Sequence, residues 1–178
     1  MDFTNFTNPE KNISELGLYE GMVVVDLGAG TGAYVVPLAK KVGETGRVYA
    51  IEVQKEFLAN IKNLASHAGF KNVEVVWGDI ERPNGTKLKD ESADAVIVSN
   101  VLFQAEDKNG LLAEAKRILK QGGKLLLIEW KDSFNNLGPE PKAVVTSTEA
   151  LNLCSAQGFI LRKEFDAGEH HYGFVMVK

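Results

Sequence analysis

Two short stretches, VVVDL at 23–27 and AVIVS at 95–99, are apolar at consecutive positions, so any strand they form is apolar on both faces. A strand without a polar face cannot lie against water. It belongs in a parallel sheet covered by helices on both sides. Strand-length runs recur at 22–27, 47–52, 73–77, 94–99 and 124–130. Between the second and third run, Phe57, Leu58, Ile61, Leu64, Ala65 and Ala68 form a helical stripe that Gly69 stops. Between the fourth and fifth, Leu111, Leu112, Ala115, Ile118 and Leu119 repeat it ahead of Gly122 and Gly123.

The carboxyl-terminal segments GFILRKEF and HHYGFVMVK are both strand-like and are separated only by DAGE. That is too short for a parallel crossover and suits an antiparallel hairpin. With 159–165 parallel to the other strands, its partner starts at the carboxyl edge of the sheet, where ligands of open α/β sheets bind. His170, His171 and Tyr172 are therefore expected on the ligand side. The expected fold is a doubly wound, Rossmann-like three-layer α/β sandwich. Its sheet is seven-stranded and mostly parallel, ending in the antiparallel hairpin strand.

At 178 residues the chain is expected to be one domain. Residues 22–178 form the core, and residues 1–21 are an amino-terminal segment. With Phe3 and Phe6, that segment reads either as a lid or as a frayed end. No apolar run approaches the ~20 residues of a membrane helix. MDFTNFTNPE has neither the basic patch nor the apolar core of a secretion signal, so a cytoplasmic protein is expected. The one cysteine, Cys154, suits a small buried residue on a helix. A formal charge of -4 weighs against a large polyanionic partner.

Chemistry concentrates in DLGAGTGAY, where Gly28, Gly30 and Gly32 alternate. Such a loop lets a ligand touch the main chain. Pro37 falls in the first turn of a helix starting near Gly32 or Ala33, where a missing amide donor costs little. A dinucleotide would set its pyrophosphate on that helix end, and Gly28, Gly30 and Ala33 can be forced into its pattern. A cationic amino-acid ligand needs a carboxylate at the loop instead. Asp26 is there; it would repel a pyrophosphate and attract an ammonium or sulfonium group. Glu52, 24 positions after Gly28, accepts from ribose hydroxyls in either case. A tight turn with a capping aspartate is the plainest alternative.

Four segments in order, VVDLGAGTG, VYAIEV, WGDI and EAKRILKQGGKLLLIEW, resemble the signatures of the class I S-adenosylmethionine-dependent methyltransferases. The likeness covers residue 22 to the end and leans loosely toward small ubiquinone- and menaquinone-biosynthesis enzymes. The resemblance implies S-adenosyl-L-methionine as cofactor. Asp26, Gly28, Ala29, Gly30 and Gly32 would hold its methionine part, Glu52 the ribose and Val53 one adenine face. Asp79 would accept from the adenine amino group, with Ile80 at the ring edge; read alone, Asp79 in GDI is a turn-forming residue. Ser99 and Asn100 would face the methionine portion or the methyl group.

Methyl transfer requires alignment of the acceptor and exclusion of water, and a base only for a poorly ionised acceptor. Candidates at the carboxyl edge are His170, His171, Tyr172, Glu129 and Trp130. The preferred arrangement is His171 oriented by Tyr172. Two histidines without cysteine or a third ligand make a poor metal site, and none is expected. The connection WKDSFNNLGPEPKAVVTS offers aromatic and rigid material for a small pocket. A small-molecule acceptor is expected, with RNA or protein methylation as the alternative. An NAD-dependent oxidoreductase and a noncatalytic cofactor-binding module are the readings from other classes.

Overall fold

The doubly apolar strands form the middle of the sheet. In the computed structural model, which describes residues 7–134 and 138–178, β1 (Val23–Leu27) lies between β2 (Arg47–Glu52) and β4 (Ala93–Ser99), parallel to both. Val24, Val25, Leu27, Val96, Ile97 and Val98 are completely buried. Each such side chain contributes roughly 1.5–3 kcal/mol when removed from water, which strands apolar on both faces gain only if covered twice. β3 (Val73–Trp77) extends the sheet beyond β2, and β5 (Leu119–Trp130) extends it beyond β4. β7 (His171–Val177) runs antiparallel to β5, and β6 (Ile160–Gly168) closes the far edge, giving the order β3-β2-β1-β4-β5-β7-β6. The reversed carboxyl-terminal strand is thus present, and its first residue, His171, pairs with Trp130 at the carboxyl edge.

One face is covered by α1 (Pro9–Ser14), α2 (Val35–Val42) and α3 (Lys55–His67), the other by α4 (Lys108–Ile118) and α5 (Ser147–Ala156). Pro37 lies in the first turn of α2, and Gly69 follows the end of α3 with φ +81°. Cys154 is buried on α5, and burial pushes its thiol up to about 12. Phe3 and Phe6 lie outside the described residues. The rest of the amino-terminal segment packs down: Ile13, Leu16 and Leu18 are buried with Val24, Leu38 and Leu126. Among the described residues no helix is long and apolar enough to cross a membrane.

Two boundaries differ from the sequence pattern. Leu119 opens β5 instead of ending a helix, and Gly122 and Gly123 lie within the strand. The register jumps from Ala93↔Leu119 to Ala95↔Lys124, so the extra residues bulge, and Gly122 takes φ +73° there. Gly122 N–H donates to Lys178 O and Lys178 N–H to Gly123 O, so a partner far along the chain sets this extension. At the hairpin, β6 runs through Gly168, leaving only Glu169 and His170 to make the turn.

A buried carboxylate on α4 fixes the connection between β3 and β4. Glu114, 2% exposed, accepts from Asn84 N at 3.0 Å, Thr86 N at 3.1 Å and Thr86 Oγ1 at 2.6 Å, and from the Arg117 guanidinium at 2.7 and 2.8 Å. Burial by itself would raise its pKa. The bonds from Arg117, Thr86 and Asn84 outweigh burial and hold it at about 2. We expect Glu114→Ala to cost roughly 3 kcal/mol in denaturant unfolding, because Arg117 loses its buried partner. The folded carboxyl is more acidic than the ordinary 4.5, so the wild-type contribution stands above that value and fades as pH falls toward about 2. The variant should lack this acid-side loss.

Candidate functional site

The carboxyl ends of β1 and β2 carry two acids in opposite situations. Asp26 is 2% exposed, and its Oδ2 has no hydrogen-bond partner among the described residues. Burial first, and the nearby Glu52 second, push its carboxyl up to about 7. Glu52, 5% exposed, is satisfied: Oε2 accepts from Gly30 N at 2.8 Å, and Oε1 from Val53 N at 2.9 Å and Gln54 N at 2.8 Å.

The glycine loop turns between them. Gly28 has φ +76°, and a Cβ there would lie 2.8 Å from Val101 Cγ2, so only glycine fits. Gly30 has φ +51°, and a Cβ on it would meet nothing closer than 3.9 Å. It would stand in the ligand space. Most of the loop's donors are already used: Gly28 N and Ala29 N donate to Ile51 O at 3.0 Å each, Gly30 N to Glu52, and Gly32 N to Ala29 O at 2.8 Å. Four amides turned inward are a poor cradle for a pyrophosphate, which binds by collecting such groups.

A hollow of about 440 Å³ opens beside this loop. Gly28, Gly30, Glu52, Val53, Asp79 and Ile80 all line it, which brings together six sequence candidates from three strand ends. Asp79 forms the local turn: Oδ1 accepts from Glu81 N at 3.0 Å and Oδ2 lies 3.6 Å from Arg82 Nε, and the residue also lines the hollow. Val53 is half exposed, and its carbonyl accepts from Trp77 Nε1 at 2.9 Å. Gln104, Val101 and Phe57 are also in the wall; their side chains carry no motif, and only the folding of the segment after β4 brings the first two here. A larger hollow, about 600 Å³, opens among Lys40, Arg47, Phe70 and Lys71 and contains none of the candidates.

Ser99 ends β4 with its Oγ 3.4 Å from Tyr34 Oη. Asn100 follows with φ +58°, a left-handed conformation that asparagine tolerates. Its N–H donates to Ile128 O at 2.9 Å, and its carbonyl accepts from Gln104 Nε2 at 3.0 Å. Glu129 is completely buried and accepts from Trp130 N at 2.9 Å and Phe103 N at 3.3 Å. Burial raises its carboxyl to about 7, against the pull of these amides, of Leu102 N and of Lys108.

The pairing of His171 with Tyr172 does not hold. Neighbouring residues of a strand point to opposite faces, so Tyr172 enters the α4–α5 side and donates to Val145 O at 2.8 Å. Burial, with Glu129, Cys154 and Glu149, drives its pKa far upward, and it cannot orient His171. His171 lies on the other face, 1% exposed, its ring 4.2 Å from that of Trp130. His170 sits in the turn, with Nδ1 2.9 Å from Asp132 Oδ1 and its ring stacked 4.1 Å from Phe134. None of the three lines the 440 Å³ hollow.

Comparison with known proteins supplies the context for this geometry. The family described as "Methyltransferase domain" matches residues 18–169. An arsenite methyltransferase of Aquipseudomonas alcaligenes is 37% identical over 112 residues, 61% of this chain and 32% of that protein. The ubiquinone/menaquinone biosynthesis C-methyltransferase UbiE of Klebsiella pneumoniae is 28% identical over 85% of this chain and 58% of its own length. The chain therefore spans 32% of one of these relatives and 58% of the other. The crystal structure of a SAM dependent methyltransferase from Aquifex aeolicus superposes with a TM-score of 0.88 at 31% identity, covering 98% of this chain and 91% of that one.

The raised carboxyls set a stability signature. The folded protein holds the Asp26 proton more tightly than the unfolded chain does. Stability from that proton is complete below about 3.8 and is lost as pH rises through about 7, on the order of 4 kcal/mol in all. Glu129 acts in the same direction. Thermal unfolding of the unliganded protein should fall between pH 5 and 8 (~3 pH units), and Asp26→Asn should remove a large share of that fall. An unchanged slope would show that Asp26 ionises freely.

Proposed function

Because the chain belongs to the class I S-adenosylmethionine-dependent methyltransferases, we propose that it moves a methyl group from S-adenosyl-L-methionine to a small-molecule acceptor by in-line displacement. The observation that carries this reading is the buried, unpartnered oxygen of Asp26 beside a loop whose amides are already engaged. A cation is the group such a site favours.

The residues fit the donor. Asp26 would take its ammonium end, and the bare surface at Gly30 allows close approach. Glu52 would exchange its bond to Gly30 for ribose hydroxyls. Val53 and Ile80 would flank the adenine, with Asp79 as acceptor for its amino group. When bound, the sulfonium supplies an already activated methyl. The chain's own work is then to align the acceptor and exclude water, an effect worth effective molarities of ~10⁵ to 10⁸ M.

On the acceptor side, His171 opens β7 and Trp130 closes β5 on the sheet face that also carries Asp26 and Ser99. A histidine there suits proton removal from an acceptor that requires it. The relatives' names specify arsenite in one case and a C-methylation of ubiquinone and menaquinone biosynthesis in the other, which supports a small acceptor here.

Calorimetry tests the donor placement. Asp26→Asn and Gly30→Val should each lose most affinity for S-adenosylmethionine while remaining folded. Wild-type affinity should weaken from pH 8 to pH 6 (~2 pH units), as Asp26 takes up a proton near pH 7. Binding of NAD in preference to S-adenosylmethionine would overturn the reading. His171→Ala should leave donor affinity intact and slow labelled-methyl uptake into extract metabolites; unchanged uptake removes it from the mechanism.

A further inference from the structure

Glu129 supports the donor hollow without reaching it. It precedes Trp130 at the end of β5, and the alternation of the strand turns it to the sheet face opposite Asp26. Its Oε1 accepts from Trp130 N at 2.9 Å and its Oε2 from Phe103 N at 3.3 Å, with Leu102 N as a further donor. Leu102 and Phe103 open a single 3₁₀ turn, Leu102–Gln104, flanked by Val101 and Ala105. Val101, Gln104 and Ala105 line the 440 Å³ hollow, and Glu129 does not. The turn is the wall, and the carboxylate stands behind it.

So short a turn has few bonds of its own. Gln104 N and Ala105 N donate to Val101 O at 3.2 and 3.1 Å, whereas the first amides of a helical turn have no carbonyl behind them, and Glu129 takes those of Leu102 and Phe103. An ionised carboxyl holds such amides roughly twice as strongly as a neutral one, and a protonated carboxyl also sets a hydrogen on one of the two oxygens. The charged and titratable groups that face Glu129 are Lys108 of α4 and Tyr172, its register partner on β7, which in turn faces Cys154 and Glu149 of α5. Tyr172 and Cys154 are pushed upward by burial and stay protonated near neutrality. Glu129, raised by burial to about 7, changes charge there. We propose that Glu129 is a positioning residue for the methyl donor: its ionised carboxylate holds the Leu102–Gln104 turn against the adenosine half of the ligand, and uptake of a proton loosens that wall. The inference rests on the donor placement proposed above and adds to it a residue that touches no ligand.

Methylthioadenosine separates this effect from Asp26, because it carries the adenosine of the donor without the ammonium. Calorimetry should show wild type binding it about fivefold more weakly at about pH 6 than at about pH 8, the size of one ordinary hydrogen bond. Glu129→Gln, uncharged throughout, should bind at both pH values as wild type does at the lower one. A purely structural residue would leave the variant weaker by the same factor at both. Convergence of the two proteins on the acid side is therefore the decisive reading.

A flat wild-type profile, or a Glu129→Gln profile parallel to that of wild type, overturns the proposal. So does a wild type that binds S-adenosylmethionine but not methylthioadenosine, since the wall then gives the adenosine no hold. Where Glu129→Gln does not fold, Asp26→Asn carries the test: with the other raised carboxyl silenced, methylthioadenosine should keep its full pH dependence, and loss of that dependence assigns it to Asp26 and overturns the role of Glu129. A wild type with no affinity for S-adenosylmethionine overturns the donor placement itself, a result separate from any failure of Glu129.

Discussion

A carboxylate oxygen shut away from water with no partner is costly for a fold to hold, and among the described residues Asp26 Oδ2 is in that position. Its place follows from the register: β2 flanks it on one side and β4 on the other, and the glycine turn begins two residues later. Solvent cannot reach it, and Glu52 adds repulsion. Glu52 avoids the same cost by collecting three amides. The contrast between the two acids divides the labour, one strongly reactive toward a cation and the other already stable without one.

The wall of the 440 Å³ hollow is set from across the sheet. Glu129, at the end of β5, receives amides from the Leu102–Phe103 turn and so fixes the segment after β4. Val101 then lies over Gly28, and Gln104 reaches back to the Asn100 carbonyl. A glycine with no side chain and a valine pressed onto it are two sides of one contact. The segment 84–88, strapped to α4 by Glu114, supports the neighbouring wall around Asp79 in a similar way.

Local pattern revealed the sheet because burial on both faces is written into consecutive residues, as in VVVDL and AVIVS. The acids and glycines were legible for the same reason, since strand ends and a turn bring them together at fixed spacing. The first part of β5 was not, because LKQGG has no strand pattern and is paired by Lys178, more than fifty residues on. The alternation that separates His171 from Tyr172 was available in the period of two, yet adjacency in sequence suggested partnership. Tyr34 and Asn12 had no legible signal: they are 22 residues apart, and only the packing of α1 against α2 joins them.

The two tryptophans stand at opposite ends of the ligand edge. Trp77, 46% exposed, has Lys87 Nζ 4.6 Å from its ring centre and donates its indole N–H to the Val53 carbonyl. Trp130 lies between the His171 ring and the backbone of Gly138, whose missing Cβ would strike it at 2.7 Å. The protein thus carries two native fluorophores in different electrostatic surroundings, one polarised by ammonium groups and the other contacted by an imidazole. Charge and contact thus differ between the two indoles, and with them the local field that each ring's excited state meets.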